Sequence, residues 1–154
     1  MMTKELLKTE IDQVDTQIDF SQFVETNITA IHIIKTAQEH DVSISILDHE
    51  QNHWVLTAYS VTAFSLDRLC SSNIIDWIRL LDESNTNLEE LRNTIFTLFS
   101  SEYTNNNKYI AWQLVDKVID EIRNSERIVL EIEPVAGAYI LLIAENVSLT
   151  TESV

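Results

Sequence analysis

Residues 126–145 read ERIVLEIEPVAGAYILLIAE, and the fold is read outward from them. They hold the only proline and the only glycine of the chain, Pro134 and Gly137. Before that punctuation Ile128, Leu130 and Ile132 alternate with Val129, Glu131 and Glu133, the pattern of a strand with one buried face. After it, Tyr139, Ile140, Leu141, Leu142 and Ile143 leave no polar face, which suits an interior strand covered on both sides. Pro and Gly stand where a turn is needed. The stretch reads as an antiparallel hairpin whose second strand lies inside a sheet. It carries no His, Cys, Ser or Asp, so it reads as scaffold.

The rest of the composition sets bounds. With 154 residues, 45% of them hydrophobic, the chain is long enough for one substantial core. We expect a single domain over 1–146 and a Ser/Thr-rich tail over 147–154 that frays. A formal charge of −15 argues against nucleic acid or an anionic membrane as a direct partner and favours a basic protein. A single glycine leaves no glycine-rich phosphate loop. The lone cysteine, Cys70, permits neither an internal disulfide nor a Cys-rich zinc site, fits a reducing compartment, and is expected to be buried. The N-terminus is charged and amphipathic rather than a signal peptide, and no apolar run reaches the ~20 residues of a membrane helix. The expected location is the cytoplasm.

Periodicity assigns the elements. Leu7, Ile11, Val14 and Ile18 form an apolar ridge over 3–19, with Asp12, Asp15 and Asp19 forming an acidic ridge beside it. Residues 21–39 read as a second helix, with Phe23, Val24, Ile28, Ile31 and Ile34 inward and Glu25, His32, Thr36 and Glu39 outward. Val42, Ile44 and Ile46 alternate with serines, and 54–61 is rich in aromatic and β-branched residues, so the pair forms another hairpin. From 62 to 124 the chain reads as mostly helical. Asn73 caps a helix bearing Ile74, Ile75, Ile78 and Leu81. Thr86 with Glu89, and Asn87 with Glu90, both match the capping box ahead of the next helix. The last helix, 109–123, turns Ala111, Val115 and Val118 inward and Asp116, Asp120 and Glu121 outward. The expected fold is α+β: two β-hairpins forming a small antiparallel sheet packed against about five or six helices.

One motif carries chemistry. His49-Glu50-Gln51-Asn52-His53 is H-E-x-x-H and resembles the signature of zincin metalloproteases over those five residues. The resemblance implies a helix with His49 and His53 as zinc ligands and Glu50 as general base, the third ligand coming from Glu83, Glu89 or Glu90. The flanks speak for a different structure. They alternate at period two before the motif and are rich in β-formers after it, which makes 48–53 a polar turn between strands.

Three functions follow. The first is a non-enzymatic acidic binding protein that docks a basic protein partner, in the manner of inhibitors, immunity proteins, antitoxins or chaperones, through Asp12, Asp15, Asp19, Asp116, Asp120 and Glu121. The second is a small zinc metallohydrolase using His49, Glu50 and His53. The third is a self-associating structural domain, a homodimer joined through surface aromatics around Trp54, Trp77 and Trp112. The balance is against an enzyme.

Overall fold

The structure is a computed structural model that describes residues 18–100 and 108–152. A 3₁₀ turn, Ser21–Phe23, precedes β1 (Asn27–Lys35), β2 (His40–Leu47), β3 (His53–Tyr59), β4 (Ala63–Asp67) and β5 (Ile74–Leu81). Two helices follow, α1 (Leu88–Ser100) and α2 (Lys108–Arg123). The chain closes with β6 (Ile128–Ala136), β7 (Tyr139–Ala144) and β8 (Asn146–Glu152). All eight strands join one antiparallel sheet in the order β4-β7-β6-β5-β1-β2-β3-β8.

This overturns the expected α+β arrangement. There is no small sheet under five or six helices; an eight-stranded sheet dominates, with two α-helices among the described residues. Residues 27–35 and 74–81 are strands, not helices. Both stretches are crowded with isoleucine, which meets a 3.6-residue template as readily as a 2-residue one. The β-branched side chains decide it, since they lose χ1 freedom on a helix and fit a pleated surface. Residues 63–67, read within the helical region, form β4. The expected fraying tail contains β8, paired with β3 from His53↔Glu152 to Tyr59↔Asn146. The helix expected over 3–19 falls mostly outside the described residues. Cys70 is exposed rather than buried.

Two meanders make up the sheet, β1-β2-β3 and β5-β6-β7, with the helices inserted between β5 and β6. Their last strands bend. β3 runs into β4 through residues 60–62, and β7 into β8 through Glu145 alone. The two bent strands stay paired across the bend, with Glu145 N–H donating to the Tyr59 carbonyl at 2.9 Å and Thr62 N–H to the Ile143 carbonyl at 2.9 Å. Ser60 takes a left-handed φ of 52°, held by its N–H bond to Asp41 Oδ1 at 3.0 Å. Each bent strand thus belongs to both ends of the strand order, so the sheet coils until its two halves face one another. Val42, Ile44 and Leu56 from one half meet Leu130, Ile132, Ile140 and Leu142 from the other in a shared interior.

A second core lies outside the coil. Leu91, Ile95 and Leu98 of α1 and Val115, Val118 and Ile119 of α2 pack on Leu81, Val129, Leu141 and Ile143. Phe96 stacks on Trp112 with ring centroids 4.3 Å apart, and this joins the two helices. Asn87, not Thr86, caps α1, its Oδ1 accepting from Glu90 N–H at 2.8 Å. The hairpin read at 126–145 is present, and β7 is central and buried on both faces as expected.

Its turn is locked from outside. Gly137 has φ 88°, and a Cβ there would stand 2.6 Å from the Ser72 carbonyl oxygen and collide with the Asn73 amide. Asn73 does not cap a helix. It is buried, and its Oδ1 accepts from Ala138 N–H and Cys70 N–H, each at 3.0 Å. Gly137→Ala therefore combines a left-handed backbone with a collision, and should lower unfolding free energy by at least about 1–2 kcal/mol. Urea denaturation at pH 7 measures it; an unchanged midpoint would mean the turn relaxes freely.

Candidate functional site

A large concavity lies where several elements end together. A groove of about 1640 Å³ opens at the end of the coiled sheet where β5 stops, β6 starts and β7 bends into β8. Residues 18–21 with Val24 form one wall, and Ile122 with residues 125–128 form another. Its floor belongs to the interior core, through the buried Phe20, Ile78 and Val147 and the partly buried Ile18, Leu80 and Ile128. Trp77 stands at the side, 43% exposed, with the Arg79 guanidinium 5.1 Å from its ring centroid.

β5 borders this groove with an unfilled edge. Its only bridge to β1 is Asn27↔Ile74 at its first residue, whereas β6 pairs with it along its length. Beyond that bridge, among the described residues, β5 has no strand partner on the groove side. Residues 25–26 take both backbone groups of Ile75, and the Asn85 amide donates to the Leu80 carbonyl at 2.6 Å, so the stretch of that edge left to pair with an incoming segment centres on Ile78.

The charges around the groove are lopsided. Asp19, Asp82, Glu126 and Glu145 line it, and so do Arg79 and Arg127. Both arginines are committed to the protein's own carboxylates. Arg127 lies 3.6 Å from Glu121 and 3.2 Å from Glu145. Arg79 Nε donates to Glu131 Oε1 at 2.7 Å. Glu131, only 5% exposed, accepts from the Tyr139 hydroxyl on Oε2 at 2.7 Å. Both carboxylate oxygens are thus satisfied, as a buried charge requires. Burial raises the Tyr139 pKa well above its ordinary value, with the bond to Glu131 adding to it. Burial also raises Glu133, helped by the neighbouring Glu131 charge.

The same use of cations holds across the described residues. Every arginine of the chain has a carboxylate within reach: Arg68 with Asp67, Arg92 with Asp116, Arg123 with Glu83 and Asp120, and the two at the groove. The acids expected to meet a partner fall into distinct places. Asp12 and Asp15 lie outside the described residues. Asp19 stands at the groove rim, where bonds from Ser21 Oγ at 2.6 Å and Ser21 N–H at 2.9 Å lower its pKa. Glu121 reaches the groove through Arg127, and also lies 3.8 Å from Lys117. Asp116 and Asp120 are exposed on α2, partnered by Arg92 at 3.0 Å and Arg123 at 3.6 Å. They are not drawn together with Asp19.

The H-E-x-x-H residues form a turn, not a helix. Asp48 organises it. Its Oδ1 accepts from Glu50 N–H and Asn52 N–H, each at 2.9 Å, and its Oδ2 accepts from Trp54 Nε1 at 2.9 Å. The Trp54 bond is the main reason the Asp48 pKa is lowered. His49 Nε2 lies 3.0 Å from the Val24 carbonyl, and His53 begins β3. The helix face that would set the two histidines one turn apart is not formed. Among the described residues no three His, Cys, Asp or Glu side chains gather into a metal-holding group.

Sequence reasoning missed Arg79, Glu131 and Tyr139, and singled out Trp77 only as a surface aromatic for self-association. As a strand, 74–81 alternates Trp77, Arg79 and Leu81 on one face, and that period was the available signal. Compared with known proteins, the chain matches no family model, no curated protein and no solved structure. No helix among the described residues is long and apolar enough to cross a membrane.

Two outcomes follow from these bonds. Tyr139→Phe leaves Glu131 Oε2 buried without its donor and should cost about 1–3 kcal/mol by urea denaturation; a variant as stable as the parent would show that water replaces the hydroxyl. Asp48→Asn should lower the melting temperature at neutral pH. Because the folded pKa lies below the ordinary carboxylate value, the charge stabilises above that value and stops doing so as pH falls through the depressed one. The gap between parent and variant should therefore hold down to about pH 3.8 and close below it. A gap that widens on acidification would contradict the assigned role.

Proposed function

We propose that the protein is a non-enzymatic acidic binding protein, and that its groove receives a basic, partly apolar segment of a protein partner. The observation that carries this reading is the combination at the groove: an apolar floor, an acidic rim and an unfilled strand edge, with both lining arginines already tied to internal carboxylates. An apolar floor supplies affinity through area removed from water. The rim adds long-range attraction for cations and repels acidic competitors. An extended segment laid beside β5 would satisfy backbone groups that have no strand partner among the described residues. Trp77 and Arg79, at the side of the groove, belong to the residue types that dominate binding energy in interfaces. The free thiol of Cys70 favours a reducing compartment such as the cytoplasm.

Inhibitors, immunity proteins, antitoxins and secretion chaperones share this combination of acidity and partner binding, and the reading places the protein with them by chemistry alone. The acids of the rim replace most of those expected from helix patterning. Asp19 and Glu121 remain in the proposal; Asp116 and Asp120 contribute general field rather than contact.

Fluorescence titration of Trp77 with synthetic peptides tests the reading. One peptide alternates isoleucine with lysine; its control alternates isoleucine with glutamate. The lysine peptide should bind, with affinity that falls as salt rises. Glu126→Lys with Glu145→Lys should weaken it roughly tenfold or more, about 1.4 kcal/mol. Equal binding of both peptides, or binding that ignores the double substitution, would remove the groove from consideration.

A further inference from the structure

The sheet has a second unfilled edge, and it differs in character from the groove. β1 and β5 overlap only at Asn27↔Ile74, so each runs on past the other. β1 continues alone on that side from Thr29 to Lys35, paired only with β2. Ile33 is 60% exposed and Ile34 49% exposed there, one on each face of the ribbon.

The direction of the backbone along this edge follows from the ladder. His40 directs its carbonyl away from β1, accepting from Val61 N–H at 2.7 Å. Its cross-strand partner Lys35 is then in a non-hydrogen-bonded pair, with its own N–H and C=O turned outward. Alternation turns Ile33 and Ile31 outward as well, while Ile34, His32 and Ala30 make the ladder with β2. The edge therefore offers outward donors and acceptors at Ile31, Ile33 and Lys35, with no strand to receive them among the described residues.

Strand edges are normally guarded by charge, proline or a bulge. The stretch 26–34, TNITAIHII, has no Asp, Glu, Lys or Arg and no proline, and His32 is its one titratable residue. Its one bulge lies at Thr29, at the very start of the unpaired part, and leaves Ala30 to Lys35 in regular register. In a chain with a formal charge of −15, a second copy is repelled almost everywhere else, and least along this stretch.

We propose that β1 is a self-association edge, and that its occupant is β1 of a second copy in antiparallel register about Ile33. The register is self-complementary, as a two-fold interface must be. Ile33 faces Ile33 of the second copy, and Ile31 faces Lys35 on either side. All the outward-turned groups then face one another and can bond. On the opposite face His32 meets Ile34. Isoleucine pairs directly across strands are favourable, and no like charges oppose. This joins two coiled sheets without using the groove, so it stands whether or not the groove binds a peptide. It also differs from the aromatic dimer expected from sequence, since Trp54 and Trp112 are partly buried and engaged with Phe23 and Phe96.

Sedimentation equilibrium of the full chain tests it, with each variant checked by far-ultraviolet circular dichroism and thermal melting. The parent should be a dimer. Ile33→Lys sets two positive charges face to face and should raise the dimer dissociation constant at least roughly tenfold. Ile33→Pro removes only an N–H that faces away from β2 and should do the same. Both should remain folded, because Ile33 is mostly exposed. Val135→Lys, at another exposed apolar position, should leave the dimer intact. A monomeric parent at the highest attainable concentration would overturn the proposal, whether the edge is covered by its own chain or reserved for another protein. So would a dimer that survives both Ile33 substitutions, or one that Val135→Lys breaks equally well.

Discussion

Strand β7 is buried on both faces, and the two cores meet across it. Ile140 and Leu142 point into the coiled sheet, while Leu141 and Ile143 point at the helices. A residue lost from either set is felt by both cores, because they share a single backbone ladder. The neighbouring strand β6 does the same with Leu130 and Ile132 inward and Val129 outward. This double burial explains why the helices sit where they do. They cover the only part of the sheet's outer face that is too apolar to meet water. The face carried by β2, β3 and β8 instead shows Ser43, Ser45, Thr57 and Ser148, and nothing among the described residues packs over it. Ser43 Oγ and Thr57 Oγ1, 3.3 Å apart, bond directly across the strands.

That same asymmetry decided how much was legible in advance. The hairpin at 126–145 was readable because Pro134 and Gly137 punctuate it and because an apolar run as short as 139–143 suits a strand. The hairpin of β2 and β3 was readable from serine alternation and the polar turn. α2 was readable because charged and apolar residues separate cleanly around it. β1 and β5 were not. Isoleucines at 28, 31 and 34, and at 74, 75 and 78, satisfy helical spacing, and the competing information is energetic rather than periodic. Each strand also keeps residues of both kinds on both faces, because its ends run beyond the neighbour that would bury it. The tail was misread for a related reason: Thr150 and Thr151 look like coil, yet their backbones complete the ladder with β3. At the site, the acidity was legible and its placement was not. Glu131 looked like the wet side of a strand, and only the position of Arg79 on a neighbouring strand makes it a buried anion.

Electrostatics imposes a second constraint. With 25 acidic residues against 10 basic ones, cations are the scarce resource. Arg79 and Arg127 meet carboxylates largely withdrawn from water, Glu131 and Glu121, whereas those paired with Arg68, Arg92 and Arg123 are exposed. Glu131 receives the Arg79 Nε–H on one oxygen and the Tyr139 hydroxyl on the other. Arg127 ties the end of α2 to Glu145 at the β7–β8 bend, and Arg123 ties it to Glu83 beyond β5. Such exposed pairs add little stability each. Their consequence is that the surplus charge left facing water is almost entirely negative. Lys35 and Lys108 are the only described cations with no carboxylate in contact among the described residues. A folded surface of this kind repels its own copies and acidic proteins at long range, and attracts basic ones.

The two open edges of the sheet then acquire different meanings. Both arise from one geometric fact, the single bridge between β1 and β5, which leaves each strand running past the other in opposite directions. At the β5 end the chain builds walls around the edge, with residues 18–21 and Val24, the end of α2 and the β7–β8 bend. It gives the space an apolar floor and an acidic rim. That is the architecture of a site, concave and chemically selective. At the β1 end nothing among the described residues walls the edge in. The edge projects as a nearly uncharged ribbon with isoleucine on both faces, selective only for another strand of matching shape. A protein carrying this much negative charge can leave such an edge bare without general aggregation, since long-range repulsion sets the barrier that only a well-registered pairing overcomes. On the proposed reading, the charge that would recruit a basic partner at one end would also limit what can assemble at the other.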